Sequence, residues 1–391
     1  MLVTVISPAI FPGYFGDTIH YMQIIEQLRR KGIKVVLICP KYNSNKDFDK
    51  EMERKGVKVV RIPFKPPMLM NIKGNTSLIT CGLRLLVFYF FEYLISLIFF
   101  LKRRIKSHVL VRYSIITLPI SFVIRMLNIK AVADVPELPL GSYISNIPNI
   151  FRRIGWILDS KLLPWYSAYR VMSLETKQYL VKIGIGQDKI HLIPPCFNFH
   201  EIPVFELKNI PNATIGYFGI LEWWQGLEVL LESFSNVVKR YPHAKLFIIG
   251  EGPLRSKLEQ LATDLGILSK VFFIRAVPRT KLLNEYFRKF RIVVIPRLPK
   301  TPATSTPMKL LEALAAGKVV ITTPFSGISK YLQRVCIIVK PNDSEMLTKA
   351  ILNVIQNEHY QFEISKNARK CIMSLYNRDK IISKIINILK L

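Results

Sequence analysis

Short apolar, β-branched runs recur along the chain with helix-length segments between them, and this alternation constrains the fold more than any other feature. Leu2–Ile6 leads into helical periodicity over about 18–31, followed by strand-like runs at Val35–Ile38, Val57–Ile62, Val109–Val111, Ala131–Val135, Val171–Ser173 and His191–Ile193. After an interval punctuated by Pro195, Pro203 and Pro211, the pattern restarts at Thr214–Phe218. It continues through Lys245–Ile249, Val271–Ile274, Ile292–Ile295, Val319–Thr322 and Ile337–Val339. Strands separated by helices predict parallel sheets with crossover helices, and 195–211 is the candidate linker. The expected fold class is α/β, two Rossmann-like doubly wound domains facing across a cleft. They are expected at 1–195 and 196–374, with a helix at about 375–391 packing back on the first. A length of 391 residues suits two such domains.

Lys and Arg total 56 against 27 acidic residues, a formal net charge of +29. That surplus favours polyanionic partners, namely nucleotide phosphates, anionic lipid headgroups or nucleic acid. The five cysteines are scattered singly, without the close pairs of a zinc knuckle or redox motif, which fits a reduced, cytosolic setting. Leu2–Ile6 lacks the pattern of a signal peptide and reads as a first strand.

Leu85–Leu101 breaks the pattern: it is nearly all apolar and is followed at once by Lys102, Arg103, Arg104 and Lys106. Spanning a bilayer takes about 20 apolar residues, and Glu92 sits near the middle of this stretch. On a helix, Tyr89, Glu92, Tyr93, Ser96 and Arg103 form one narrow polar stripe. Three readings are open: a helix buried in the first domain, a helix lying in a membrane interface, or a true span.

Thr304–Thr322 carries the strongest chemical signal. Thr306 suits an N-cap and Pro307 a first helical turn, so a helix is expected to start here and end near Gly317. Its N-terminus favours a diphosphate through free N–H groups and the helix dipole. Lys309 adds a full positive charge, and Glu312, one turn on, can accept hydrogen bonds from a ribose diol. An ordinary capped amphipathic helix with a Lys–Glu pair is the competing reading.

Pro307-x-Lys-x-x-Glu-Ala-x-Ala-x-Gly-Lys-x-Val resembles the donor-site signature of the retaining GT-B glycosyltransferases, family 4 ("glycosyl transferases group 1"). Further landmarks of that family stand in order: Gly13-Tyr-Phe-Gly16, Ile215-Gly-Tyr-Phe-Gly219 with Gly226, Gly250-Glu-Gly-Pro253 and Val294-Ile-Pro-Arg297. The resemblance covers nearly the whole chain and is stronger in the second domain. It implies transfer of a hexose from a UDP- or GDP-sugar, with retention at the anomeric carbon and without a metal or other cofactor. It implies that Glu312 binds ribose and that Lys309 and Arg297 meet the diphosphate, stabilising its charge as the bond breaks. Gly219 and Gly226 would let the backbone approach the donor, Gly250 and Glu251 would lie near the base, and Thr306 would open the donor helix. Gly16 would let the first domain close on the phosphates.

The departures from the family pattern are specific. Thr304 stands where many relatives carry a first glutamate. Ile220 and Gln225 replace an Arg and a Lys after the Gly219 strand, and Ser326–Lys330 departs from the usual Gly-Gly-x-x-Glu. Pro136 occupies the position where relatives often place a histidine, leaving Glu137 and Asp134 as candidate substitutes beside the competing reading of strand end and helix cap. Arg112, Asp134 and His20 are candidate acceptor contacts, Arg112 because ligands gather outside the carboxyl ends of strands; for His20 a capping or packing role competes. Trp223 and Trp224 line a pocket or cover a hinge. Asp47-Phe-Asp49 imitates a metal motif within a polar stretch that reads as a solvated loop and helix, and the histidines lack zinc-site spacing, so no metal site is expected.

The expected acceptor is a lipid-linked or membrane-proximal glycan, in polysaccharide or glycolipid biosynthesis. The enzyme would sit peripherally on the cytoplasmic face, held to an anionic membrane surface through 85–106. A nucleic-acid-binding protein, supported by charge alone, and a GT-B epimerase are the alternatives; no nucleic acid is expected.

Overall fold

The computed structural model describes residues 1–9, 16–41, 46–63, 75–105, 108–136, 149–299, 306–324 and 330–390. In chain order the first elements are β1 (Leu2–Ile6), α1 (Gly16–Arg30), β2 (Lys34–Pro40), α2 (Lys46–Arg54), β3 (Val57–Ile62), α3 (Asn75–Arg103), β4 (Val109–Arg112), α4 (Leu118–Met126), β5 (Ala131–Val135), α5 (Asn149–Leu162), β6 (Ala168–Val171), α6 (Leu174–Lys182) and β7 (Ile190–Leu192). Then follow β8 (Thr214–Phe218), α7 (Leu227–Arg240), β9 (Lys245–Ile249), α8 (Arg255–Asp264), β10 (Val271–Ile274), α9 (Arg279–Lys281), β11 (Ile292–Ile295), α10 (Met308–Ala315), β12 (Val319–Thr322), α11 (Lys330–Gln333), β13 (Ile337–Ile338), α12 (Ser344–Gln356), α13 (Glu358–Leu375) and α14 (Arg378–Leu389).

The chain divides into two compact units, Met1–Cys196 with Arg378–Leu391, and Phe197–Thr301 with Ser305–Asn377. The first holds a seven-stranded sheet of order β3-β2-β1-β4-β5-β6-β7, the second a six-stranded sheet of order β10-β9-β8-β11-β12-β13. All recorded pairings are parallel. Strands such as β4 and β11 are buried at every residue, as a parallel sheet covered on both faces requires. The strand order reverses between β1 and β4 in one sheet and between β8 and β11 in the other. Right-handed crossovers place α1 and α2 on one face of the first sheet and α3, α4 and α5 on the other. Within the first unit, α14 packs against α1 and β5.

Two local expectations change, and an open one is narrowed. The sixth strand is Ala168–Val171 rather than Val171–Ser173, because Ser173 caps α6, its hydroxyl accepting from Thr176 N at 3.1 Å. The shift brings Arg170 into the strand. The proline-marked segment after Cys196 is irregular but packed: Phe197, Ile202, Leu207 and Ile210 are buried, so it closes the second core instead of hanging as a free tether. On α3, Glu92 and Ser96 of the polar stripe turn inward while Arg103 at its end is exposed. Glu92 and Ser96 are buried alongside Phe88 and Phe100, and among the described residues no helix is long and apolar enough to cross a membrane.

Candidate functional site

In the second unit the loops after β8 and β11 flank the point where strand order reverses, the place where open α/β sheets bind ligands. The loop after β11 feeds α10, whose first turn carries Lys309. The helix begins at Met308 with Pro307 in the cap position (φ −70°, ψ 137°) and without a side-chain cap, one residue later than Thr306 as cap would give. Thr306 is buried and its side chain hydrogen-bonds Tyr376 instead. Gly317 takes a left-handed φ of +74° just past the helix end.

The Lys309 ammonium donates to Tyr217 Oη at 2.9 Å and to Gln225 Oε1 at 2.8 Å, and lies 4.2 Å from the centre of the Tyr217 ring. Burial, and then the nearby Arg297 guanidinium, push its pKa well below the usual lysine range. Arg297 is buried at the end of the β11 strand, where its carbonyl accepts from Thr323 Oγ1 at 2.7 Å. Two basic side chains thus lie near each other at the mouth of the sheet.

Glu312, one turn along α10, is also buried. Its Oε1 accepts from Arg279 Nε at 2.7 Å, and Arg279 Nη1 reaches Glu201 Oε2 at 3.3 Å. Burial raises the Glu312 pKa and Arg279 opposes that rise. Lys309 and Glu312 therefore bond to different partners and do not form the simple surface pair of an ordinary amphipathic helix.

The glycines are set by backbone contacts. At Gly250 (φ +152°) an added Cβ would lie 1.9 Å from Gly219 O, because the loops after β8 and β9 run against each other. At Gly226 (φ +68°) it would lie 2.0 Å from Pro296 O. Gly219 faces the Lys309 ammonium, 3.1 Å from where its Cβ would stand. Glu251 is half-exposed and pairs loosely with Arg255 and Arg275 at 3.8 and 3.9 Å. Trp223 is exposed, and Trp224 O accepts from Leu298 N.

In the first unit, sheet register sets Arg112 beside Asp134 and Asp134 beside Arg170, a row of charge across β4, β5 and β6. Arg170 Nη1 bonds both Asp134 oxygens at 3.1 Å, and Tyr21 Oη donates to Oδ2. His20 Nε2 lies 2.8 Å from Arg170 Nη1, while His20 Nδ1 accepts from Cys196 N at 3.2 Å. Both ring nitrogens face N–H donors, although a neutral imidazole has only one acceptor nitrogen, and the charged form would have none. Burial and Arg170 accordingly push the His20 pKa well below its ordinary value. His20 is buried with a partner at each ring nitrogen, and Asp134 is engaged by Arg170 and Tyr21. Arg112 is buried at the carboxyl end of β4. Gly16 opens α1. Glu137, Thr304 and Ser326 lie outside the described residues.

Asp49, half of the metal-like motif, pairs with Arg61 at 2.7 Å. Sequence reasoning does not single out Arg279, Tyr217, Arg170 or Tyr21. Tyr217 lies inside the Ile215–Gly219 motif, and Arg170 is a charge in an apolar run; for Arg279 no local signal exists.

Residues 199–371 match the model of "Glycosyl transferases group 1", and residues 16–201 match that of "Glycosyltransferase Family 4". The chain belongs to this family of glycosyltransferases. Among curated relatives, an uncharacterized glycosyltransferase of Methanocaldococcus jannaschii is 27% identical over 46% of this chain and 45% of its own length. One subunit of the phosphatidylinositol N-acetylglucosaminyltransferase of Arabidopsis thaliana is 20% identical over 90% of this chain and 74% of its own. The chain spans about half the length of the first curated relatives it matches. The crystal structure of Anabaena Alr3699/HepE in complex with UDP-glucose superposes with a TM-score of 0.73 at 13% identity, covering 100% of this chain and 99% of that one. The fold of this glycosyltransferase family member is therefore GT-B.

Proposed function

We propose that this chain is a retaining hexosyltransferase that uses a UDP- or GDP-sugar and delivers the sugar to a lipid-linked or membrane-proximal glycan. The observation that carries the reading is the placement, on one short helix at the sheet's reversal point, of Lys309 and, one turn away, Glu312, each held by its own partners. Lys309 and Arg297 suit a diphosphate, and Glu312 suits a ribose diol. The UDP-glucose bound by the Anabaena protein and the phosphatidylinositol named for the Arabidopsis relative support a nucleotide-sugar donor and a lipid-borne acceptor.

As the anomeric C–O bond breaks, negative charge grows on the leaving diphosphate. Cations already in place stabilise that state more than the ground state. We assign this work to Lys309 and Arg297 and read the site as metal-independent, because two basic side chains lie where the diphosphate charge is assigned. Gly16, Gly219, Gly226, Gly250, Glu251 and Thr306 are assigned to the donor's surroundings and Arg112 to the acceptor side. A peripheral place on the cytoplasmic face of a membrane, in polysaccharide or glycolipid biosynthesis, follows from such an acceptor.

Calorimetric titration with UDP, GDP and their monophosphates, with and without EDTA, tests the donor site. One diphosphate is expected to bind better than its monophosphate, unaffected by EDTA, with binding lost in Glu312→Ala. Binding that is absent, or unchanged in Glu312→Ala, overturns the assignment.

A further inference from the structure

The polarity of α3 is reversed relative to a helix on the surface of a water-soluble domain. Its inward side buries Phe88, Glu92, Ser96 and Phe100, while Leu86, Phe90, Leu94, Ile98 and Leu101 stand outward at 64, 61, 37, 42 and 55% exposure. Their spacing of four, four, four and three residues draws one continuous apolar stripe, about 22 Å long at a helical rise of 1.5 Å per residue. The stripe does not end at the helix edge. Tyr93 on α3 reaches Met126 Sδ on α4 at 3.5 Å, and Met126 and Phe122 are themselves more than half exposed. Beyond α4, in the same layer, α5 turns out Ile154 and Ile157.

Charge on the same three helices is one-sided. Their two acidic side chains among the described residues, Glu92 and Asp159, are both buried. The exposed charges are Lys102 and Arg103 on α3, Arg125 on α4, and Arg153 and Lys161 on α5, with Arg104 just after α3. Soluble domains rarely leave an apolar surface of this extent open to water. An apolar centre on helices whose exposed charges, among the described residues, are all cations matches an interface whose interior is hydrocarbon and whose headgroups are anionic.

We propose that α3, α4 and α5 form one docking face for an anionic lipid bilayer, lying flat on it with Phe90, Ile98, Phe122 and Met126 among the acyl chains and the cations at the headgroups. The face extends the contact beyond residues 85–106 to two further helices. It rests on the proposed function only for its purpose, which is to bring the enzyme to a membrane-borne acceptor. Lipid binding itself is measured without sugar transfer. A helix with one side committed to the core lies along the surface and does not cross it.

The test is co-sedimentation of the full chain with phosphatidylcholine vesicles, with and without phosphatidylglycerol, beside duplex DNA at matched salt. Phe90→Gln/Ile98→Gln probes α3, Phe122→Gln/Met126→Gln probes α4, and Arg103→Glu/Arg125→Glu probes the rim. Each variant is checked for unchanged thermal midpoint and nucleotide binding. Expected are binding to anionic vesicles, about tenfold weakening in each apolar pair, and loss of the preference for phosphatidylglycerol in the rim pair. Binding insensitive to the α4 pair overturns the proposal. So does preferential binding to DNA, or a dimer in analytical ultracentrifugation that Phe90→Gln/Ile98→Gln dissociates. Because nucleotide affinity is read separately, failure here is distinguishable from failure of the donor site.

Discussion

Arg279 Nε donates to Glu312 Oε1 at 2.7 Å across 33 positions of sequence, and a second nitrogen of the same guanidinium holds Glu201. The bond opposes the upward push of burial on the Glu312 pKa, and it holds the carboxyl group in place. Arg279 is thus a positioning residue for the group assigned to ribose.

Arg279→Ala is therefore expected to weaken diphosphate-nucleotide binding by roughly ten- to a hundredfold, in line with about 1.5–3 kcal/mol for a hydrogen bond to a charged group. It should also shrink the preference for ribo- over 2′,3′-dideoxynucleotide. Arg279→Lys should restore part of both. Calorimetry with the two nucleotides checks this, and an unchanged sugar preference in Arg279→Ala would show Arg279 to be only structural.

Lys309 predicts a proton linkage. In the empty site its pKa is depressed by burial and by Arg297. A diphosphate beside it favours the charged form and raises that pKa. Between the two values binding takes up a proton, and affinity falls as pH rises. Calorimetry over a pH series above the phosphate's own second pKa of about 6 should show heats that depend on buffer ionisation enthalpy. Lys309→Met should abolish that dependence along with most of the affinity.

Lys318 offers a stability test away from the site. It is 0% exposed, and its ammonium is enclosed by the Phe205 and Phe290 rings at 4.7 and 5.9 Å, with no hydrogen-bond partner among the described residues. Burial, then Arg291, lowers its pKa to about 7. The unfolded chain binds this proton more tightly, so stability climbs as pH rises from about 7 toward the ordinary lysine value. Lys318→Met should remove the climb and stabilise the fold at neutral pH by about 1–3 kcal/mol, read from urea midpoints across pH.

Glu92 behaves with the opposite sign. Burial raises its pKa, so stability falls as pH rises above the unfolded value near 4.5. Glu92→Gln is expected to match the natural chain in acid and to exceed it in thermal midpoint at neutral pH.

The β-branched runs and their spacing determined both sheets, because a parallel strand needs an apolar run of its own and a helix-length crossover. Lys309 and Glu312 were legible together for the same local reason, since three residues of helix put both on one face. Tertiary structure alone decided the rest. Arg279 on α9 meets Glu312 on α10, and Arg170 on β6 meets Asp134 on β5, only because the folded chain brings separate elements together, and no periodicity encodes such a meeting. Periodicity located a polar stripe on α3. Which side of that helix faces the protein depends on what the neighbouring helices and sheet present to it, and the fold turned Glu92 inward and Phe90 out.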